Sequence, residues 1–273
     1  MIANKAAAAT ITHCIGITIL AGVVFIFALN ARTSPAPSDA IQKGQTFLVN
    51  LFDPDLGLLP EYQGANVYWL FHDNYLAAKV LAASHPQTAK SIQAAIRREG
   101  ITKSGTIELI FGETEKPLPF RLPQLVDVRH ATNKVIRTEV VTDRVLDGWE
   151  NYADLLLLAS IAETNQPIAH QHWEAAMHLW DGHGFLDAAA QHDHRYSTYK
   201  LGLALLAANH LSPPAKPPQQ LVDQLLTMQD NSGGWITDYD AAGKKIGFAN
   251  IETTCLCILG LETFSGLEQS PQK

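Results

Sequence analysis

The sequence contains little cysteine, and its few thiols suit neither a disulfide framework nor a metal site. Three cysteines occur in 273 residues. Cys14 lies in an apolar segment, and Cys255 and Cys257 are two residues apart in a helical pattern. Side chains two apart on a helix point to different faces, so this pair cannot form a disulfide or share a metal ion. We therefore predict buried free thiols and no disulfide cross-links.

Short motifs that mark common chemistries are missing as well. The sequence has no Gly-rich phosphate loop, no G-x-S-x-G elbow and no H-E-x-x-H run. These absences argue against the common nucleotide-binding, serine hydrolase and zinc protease classes. The net charge of −7 and the isoelectric point of about 5.8 give no excess of positive charge of the kind that binds nucleic acid, so we predict no nucleic-acid partner. Nothing in the sequence indicates a cofactor, and we predict none.

One long apolar run, ITHCIGITILAGVVFIFAL at 11–29, stands near the start of the chain. At about 1.5 Å per residue its helix would be roughly 28 Å long, close to the thickness of a bilayer core. This run predicts a signal anchor over 1–32, a linker over 33–38, a domain over 39–265 and a tail over 266–273. The expected location is a single-pass membrane protein, attached to the membrane through this helix, with its C-terminal domain extracytoplasmic. The alternative is a protein secreted after signal cleavage.

Two types of helical pattern alternate along the domain. Four segments carry one apolar stripe among polar residues, at roughly 39–52, 86–98, 167–180 and 217–229. Four others are apolar nearly all round, at 74–84, 151–163, 198–211 and 250–262. A helix that is apolar all round is buried on every side, so the pattern predicts hairpins of outer and inner helices. Polar residues suited to N-caps precede the inner helices: Asn74, Asn151, Thr198 and Asn250.

The connections after three of the outer helices share a pattern. The stretches are FDPDLGLLPEY, WDGHGFLDAA and QDNSGGWITDY, and each has Asp as its second residue, Gly three or four residues after that Asp, and then a large apolar residue. Gly permits the positive φ that ends a helix or makes a tight turn. We therefore interpret MQDNSGGWITDYD (228–240) as a repeated turn rather than a catalytic loop. Stretches rich in β-branched residues at 105–112, 125–128 and 134–141 predict a small β insertion at about 103–145.

Alternating inner and outer helices resemble an α/α toroid, as in the terpenoid cyclases and prenyltransferases and in the six-hairpin glycosidases. Gln229, Gly233 and Trp235 fit the Q-x-x-x-G-x-W core of the cyclases' QW motif, and NIETTCLCILGL resembles the inner helices of both groups. The resemblance implies a mainly α fold, an α/α toroid-like repeat of helical hairpins with a small β insertion and one N-terminal transmembrane helix. The D-x-D-D motif of the protonating cyclases and the D-x-C zinc pattern of the prenyltransferases are both missing. Terpenoid-type chemistry is therefore the lesser alternative.

Acidic and aromatic residues cluster where the inner helices begin, which in a toroid is one end of a central funnel. Asp73 and Glu150 form the first predicted catalytic pair, with Glu252 as the third candidate and Asp154 in reserve. The predicted ligand-binding rings are Trp69, Tyr75, Trp149, Tyr152, Tyr199 and Trp235. Rings stack on sugar faces, and two acids can divide the roles of general acid and of nucleophile or base. A helix N-terminus lowers a carboxyl pKa, which suits a base better than an acid.

These residues predict a domain that acts on or binds glycans, and that is glycoside hydrolase-like if it is an enzyme. The alternative is a non-catalytic structural or interaction scaffold whose funnel is filled by side chains and whose acids only complement helix dipoles. His192 and His194 form an H-x-H pair that is a weak candidate for zinc, although scattered surface histidines are the simpler interpretation. The sequence does not indicate an oligomeric state.

Overall fold

The computed structural model describes residues 36–113 and 118–268, with side chains as far as Phe264. Eight α-helices occur in these residues: α1 (Pro37–Asn50), α2 (Tyr75–Val80), α3 (Pro86–Arg98), α4 (Ala153–Ala162), α5 (Gln166–His178), α6 (Tyr199–His210), α7 (Gln219–Thr227) and α8 (Ile251–Glu268). Six strands accompany them: β1 (Val67–Trp69), β2 (Arg121–Ala131), β3 (Lys134–Val145), β4 (Tyr196–Ser197), β5 (Trp235–Tyr239) and β6 (Lys245–Asn250). The eight helices lie at the eight segments where the sequence pattern predicts helices.

The fold is mixed α/β, so the predicted mainly α class is wrong. The described residues are 46% helical and 20% strand, and the strands form two three-stranded sheets. The first sheet has the order β1-β3-β2, with β1 parallel to β3 and β2 antiparallel to it. The second sheet is antiparallel, with the order β4-β5-β6. The predicted strand at 105–112 is instead a 3₁₀ turn over Ile107–Phe111.

The four inner helices are neighbours in the order α2–α8–α6–α4, and each carries an outer helix on its other side. Helix α3 packs on α2, α1 on α8, α7 on α6 and α5 on α4. The contact between α6 and α8 is close because Gly202 and Gly260 lie in it. A Cβ on Gly202 would come within 2.5 Å of the Leu256 carbonyl oxygen, so no larger residue fits. The resemblance to a toroid stays a prediction.

The β insertion lies between α4 and the segment that leads into α2. Its 3₁₀ turn contacts α4, while β3 pairs with β1 and contacts the wide turn Leu70–Asn74 that precedes α2. Inside this wide turn His72 has φ of 63°, in the left-handed region that costs energy for any residue except glycine. The insertion therefore supplies residues to the same end of the inner helices where the sequence clusters its acids.

The repeated turn is confirmed. The side chains of Asp53, Asp181 and Asp230 each accept hydrogen bonds from backbone N–H groups two or three residues later. The turns close through three short bridges, which pair Asp53 with Leu58, Trp180 with Phe185 and Gln229 with Trp235. The stretch 228–240 thus ends an outer helix and starts β5, and it contributes no residue to the cavity described below.

The predicted N-caps are correct at one position of four. Asn250 Oδ1 accepts a hydrogen bond from the Thr253 N–H, as an N-cap does. Asn74 instead binds both backbone groups of Leu59, with Oδ1 accepting at 2.7 Å and Nδ2 donating at 3.0 Å. The side chains of Asn151 and Thr198 make no capping hydrogen bond. Asn74 does not cap α2 because the wide turn before α2 places its buried amide beside the backbone of Leu59.

The membrane predictions are contradicted. Across 36–113 and 118–268, no helix is long and apolar enough to cross a bilayer. Within the described residues, this finding corrects the predicted transmembrane helix, the predicted membrane partner and the predicted single-pass location. The apolar segment 11–29, on which those predictions depended, lies outside the described residues.

Candidate functional site

A cavity of about 460 Å³ lies at the starts of the inner helices, between α4, α6, α8, the wide turn and the first sheet. We call it the central cavity. Its volume is within the range of small-molecule pockets. One part of its wall is apolar and includes Ile107, Ile110, Leu155, Leu158 and Leu203. The other part is acidic and aromatic, so the cavity can hold a ligand with one polar and one less polar side.

Six of the residues predicted for the site line the central cavity: Asp73, Asp154, Glu252, Trp69, Tyr152 and Tyr199. They come from the wide turn and its approach, from the start of α4, and from the first turns of α6 and α8. These segments are far apart in the sequence. The contacts between α4, α6 and α8 bring their starts to one place.

The other predicted residues lie elsewhere. Glu150 is exposed, in the short turn Trp149–Asn151, and does not line the cavity. Trp149 packs against Phe120 and His172, with ring centroids 5.2 and 5.8 Å away. Tyr75 hydrogen-bonds Glu113, outside the cavity.

Trp235 is part of the protein core and does not line the cavity. Its side chain is completely buried, and its Nε1 donates a hydrogen bond of 2.9 Å to the Leu225 carbonyl. His192 and His194 are exposed, and the described residues contain no group of three or more side chains that could hold a metal ion.

Asp73 is the most unusual acid of the cavity. Its residue is 3% exposed, and its Oδ2 has no hydrogen-bond partner among the described residues. Burial raises the pKa of this carboxyl well above its ordinary value, and the charges of Glu252 and Glu61 raise it further against the opposing effect of His72. The protonated acid is therefore favoured. This reverses the expectation that a helix N-terminus lowers the pKa, because Asp73 lies in the buried wide turn and not in the first turn of a helix.

His72 joins two carboxylates across the cavity. Its Nε2 lies 3.0 Å from Glu139 Oε2, and its Nδ1 lies 3.4 Å from Glu252 Oε1. Burial disfavours the imidazolium, but the two carboxylates outweigh burial and raise the pKa of His72 to about 10. The contact with His72 also lowers the pKa of Glu139. A cation thus connects β3 to the start of α8.

Glu61, His72 and Glu139 line the central cavity but have no role in the site predicted from the sequence. His72 stands next to Asp73 at the start of an inner helix, but the sequence does not show which groups it contacts. Glu139 lies in a strand of the insertion, and no local pattern connects it with the helix starts. Its place follows from the parallel pairing of β1 with β3.

Asp154 belongs to a hydrogen-bonded network in the wall of the cavity. Its Oδ2 accepts a hydrogen bond of 2.8 Å from the Tyr199 hydroxyl, and burial raises the pKa of that phenol so that it stays a donor. The buried Lys200 ammonium lies 2.5 Å from Asp187 Oδ2 and 3.9 Å from Asp154 Oδ1. Asp154 Oδ2 has a hydrogen-bond partner, whereas Asp154 Oδ1 and Asp73 Oδ2 have none among the described residues.

The acids of the central cavity therefore differ in their surroundings. Asp73 is buried and favours its protonated form, and Glu252 Oε1 lies 3.4 Å from His72 Nδ1. Two carboxyl groups in such different environments can serve as an acid and a base on one bound molecule. Comparisons of the chain with protein-family models, with curated proteins and with solved structures find no match.

Proposed function

We propose that the protein is a glycoside hydrolase-like enzyme that binds a glycan in the central cavity and cleaves it. The observation that carries the proposal is the buried, partner-poor Asp73 carboxyl, which lines the same cavity as Glu252. In this proposal Asp73 is the general acid, and Glu252 is the base or nucleophile. Glu61 is the second candidate for that base, since it lines the cavity and its charge acts on Asp73.

The proposed reaction needs only a glycosidic bond, water and these carboxyl groups. Asp73 donates its proton to the glycosidic oxygen while the bond from that oxygen to the anomeric carbon breaks. Glu252 either removes a proton from the attacking water or attacks the anomeric carbon itself, after which water releases the sugar. In both routes one water molecule is consumed, and Asp73 regains its proton by the end of the cycle.

The surroundings of the acids support a sugar as the ligand. Trp69, Tyr152 and Tyr199 offer ring surfaces, and Asn250 offers an amide that can hydrogen-bond hydroxyl groups. The apolar wall suits the less polar face of a sugar ring. The scaffold alternative expects a funnel filled by side chains, and the volume of about 460 Å³ supports the glycan proposal over it.

The proposal is tested by assaying the full chain on a panel of p-nitrophenyl glycosides and on polysaccharides, with release of reducing ends as the measurement. Asp73→Asn and Glu252→Gln remove the proposed acid and base. Positioned general acids and bases contribute about 10²- to 10⁴-fold to rates, so each change should lower kcat by that factor. Glu150→Gln is the matched control, because Glu150 is exposed and does not line the cavity.

The outcomes separate the alternatives. Loss of activity in the two cavity variants, with activity retained in Glu150→Gln, supports the proposed roles. A wild-type protein that binds glycans without cleaving any of them makes the site a binding site only. A Glu150→Gln variant as inactive as Asp73→Asn would restore the pair expected from the sequence and would contradict the assignment to Glu252.

A further inference from the structure

A pair of stacked aromatic rings lies at the surface beside the central cavity. Tyr62 and Phe248 have ring centroids 4.8 Å apart and an interplanar angle of 12°. Phe248 is 62% exposed, more than any other large apolar side chain in the part of the chain that the structure describes. One face of its ring covers Tyr62, and the other is open to solvent. We call Tyr62 and Phe248 the rim pair.

The backbone connects the rim pair directly to the cavity wall. Tyr62 pairs with Asn250 through a short antiparallel bridge, and the Ile251 N–H donates a hydrogen bond of 3.1 Å to the Glu61 carbonyl. Glu61 and Asn250 both line the central cavity. Each ring therefore belongs to a segment whose neighbouring residues form the wall, so the rim pair continues the cavity surface outward.

The position of Phe248 is built into the β5–β6 hairpin. The register of the two strands shifts between Ile236 and Asp238, and Gly247 has φ of +86°. A Cβ on Gly247 would lie 2.2 Å from Thr237 Oγ1, so the strand needs glycine there. The irregularity sets the direction of the strand just before Phe248. This backbone geometry and the stacking on Tyr62 together position the Phe248 ring.

We propose that the rim pair is a sugar-binding subsite, on which the next unit of an extended glycan stacks while another unit occupies the central cavity. The inference rests on the proposed function and specifies its substrate as an oligosaccharide or polysaccharide. A flat, exposed ring next to a cavity suits the apolar face of a pyranose, and the adjacent carboxylate and amide suit its hydroxyl groups. The open face of Phe248 receives the sugar, and Tyr62 supports the ring from behind.

The test is isothermal titration calorimetry of the full chain with cello-, xylo- and chito-oligosaccharides, each from the monosaccharide to the hexasaccharide. In the series that binds the wild type, affinity should increase once an oligosaccharide has more sugar units than the central cavity holds. A single aromatic contact contributes about 0.5–1.5 kcal/mol, which is about 2- to 12-fold in affinity. Phe248→Ala should remove a gain of this size for the long oligomers and leave the affinity of the shortest unchanged.

Two further variants serve as controls. Phe248→Tyr keeps a ring and should keep the dependence on length. Ile168→Ala removes another exposed apolar side chain, on α5, which contributes nothing to the cavity wall, and should change no affinity. The melting temperature of each variant shows whether it is folded, and Phe248→Ala should remain folded because most of that side chain is exposed.

The subsite and the proposed function fail in different ways. If oligosaccharides bind but Phe248→Ala leaves their length dependence unchanged, the subsite is refuted and the cavity proposal stands. If no saccharide of any length binds the wild type, the proposed function fails and the subsite with it. If sedimentation shows a wild-type dimer that Phe248→Ala dissociates, the rim pair joins two copies of the chain and is not a sugar subsite.

Discussion

Replacing Asp73 with Asn should change how the stability of the protein depends on pH. Asp73 is buried at the cavity wall, and burial together with the charges of Glu252 and Glu61 raises its pKa. Asn has nearly the same shape as Asp but carries no titratable group. The variant therefore removes the titration of this side chain while leaving the packing around it in place.

The sign and the size follow from proton linkage. The ordinary carboxyl pKa is 3.8, and the folded-state pKa of Asp73 lies well above it. Between these two values the folded protein holds a proton that the unfolded chain has lost, so the free energy of unfolding falls as the pH rises. The slope is about 1.4 kcal/mol per pH unit for one proton. The stability of the wild type relative to Asp73→Asn should fall with this slope from about pH 4.5 upward, and level off above the folded-state pKa.

Urea unfolding followed by circular dichroism at several pH values measures this difference. Glu150→Gln is the matched control for replacing a carboxyl with an amide, since Glu150 is exposed and does not line the cavity. If the curves of wild type and Asp73→Asn are parallel, Asp73 titrates normally. The argument that it is a ready general acid would then be refuted.

Two further predictions concern the cavity and the repeated turn. The pKa of His72 is raised from 6.5 to about 10, so its ion pairs stabilise the fold fully below pH 6.5 and are lost as the pH rises through 10. His72→Gln should therefore be less stable than the wild type at low pH, and this difference in unfolding free energy should shrink by up to about 1.4 kcal/mol per pH unit across that window. Urea unfolding at several pH values measures the difference. A deficit that does not depend on pH would contradict the ion pairs. Trp235→Phe removes the hydrogen bond from Nε1 to the Leu225 carbonyl, which keeps the Met228 N–H as a donor, and should cost at least about 0.5–1.5 kcal/mol of stability. Calorimetry should show unchanged saccharide binding, and a loss of binding in a folded variant would return Trp235 to the ligand site.

The helices could be predicted from the sequence because their signal is local. Each segment has apolar residues at helical spacing, and the eight helices lie where this spacing predicts them. The sheets depend on pairings between distant segments. Strand β1 has three residues and pairs with β3 only because the chain returns there after α2, α3 and the 3₁₀ turn. In the second sheet, β5 and β6 follow turns that contain glycine, and the sequence pattern predicts connections there instead of strands.

The candidate site was predictable to the extent that it depends on where helices begin. Asp73, Asp154 and Glu252 stand at or just before such starts, and all three line the central cavity. Glu150 does not line the cavity. Gly148 has φ of +70°, and the turn that follows it directs Trp149 toward Phe120 and leaves Glu150 exposed to solvent. The reversal of the Asp73 pKa could not be predicted, since it depends on burial and on charges from other segments.

The proposed acid–base pair in the central cavity is tested most directly by a crystal structure of the Asp73→Asn variant with the saccharide that the wild type binds best. The account predicts a sugar in the central cavity, with a glycosidic oxygen about 2.6–3.2 Å from the side chain at position 73 and with the anomeric carbon on the side of Glu252. The separation of the two side chains then gives the stereochemical course, about 5–5.5 Å for retention or about 6.5–9.5 Å for inversion. A saccharide bound away from both residues would contradict the account.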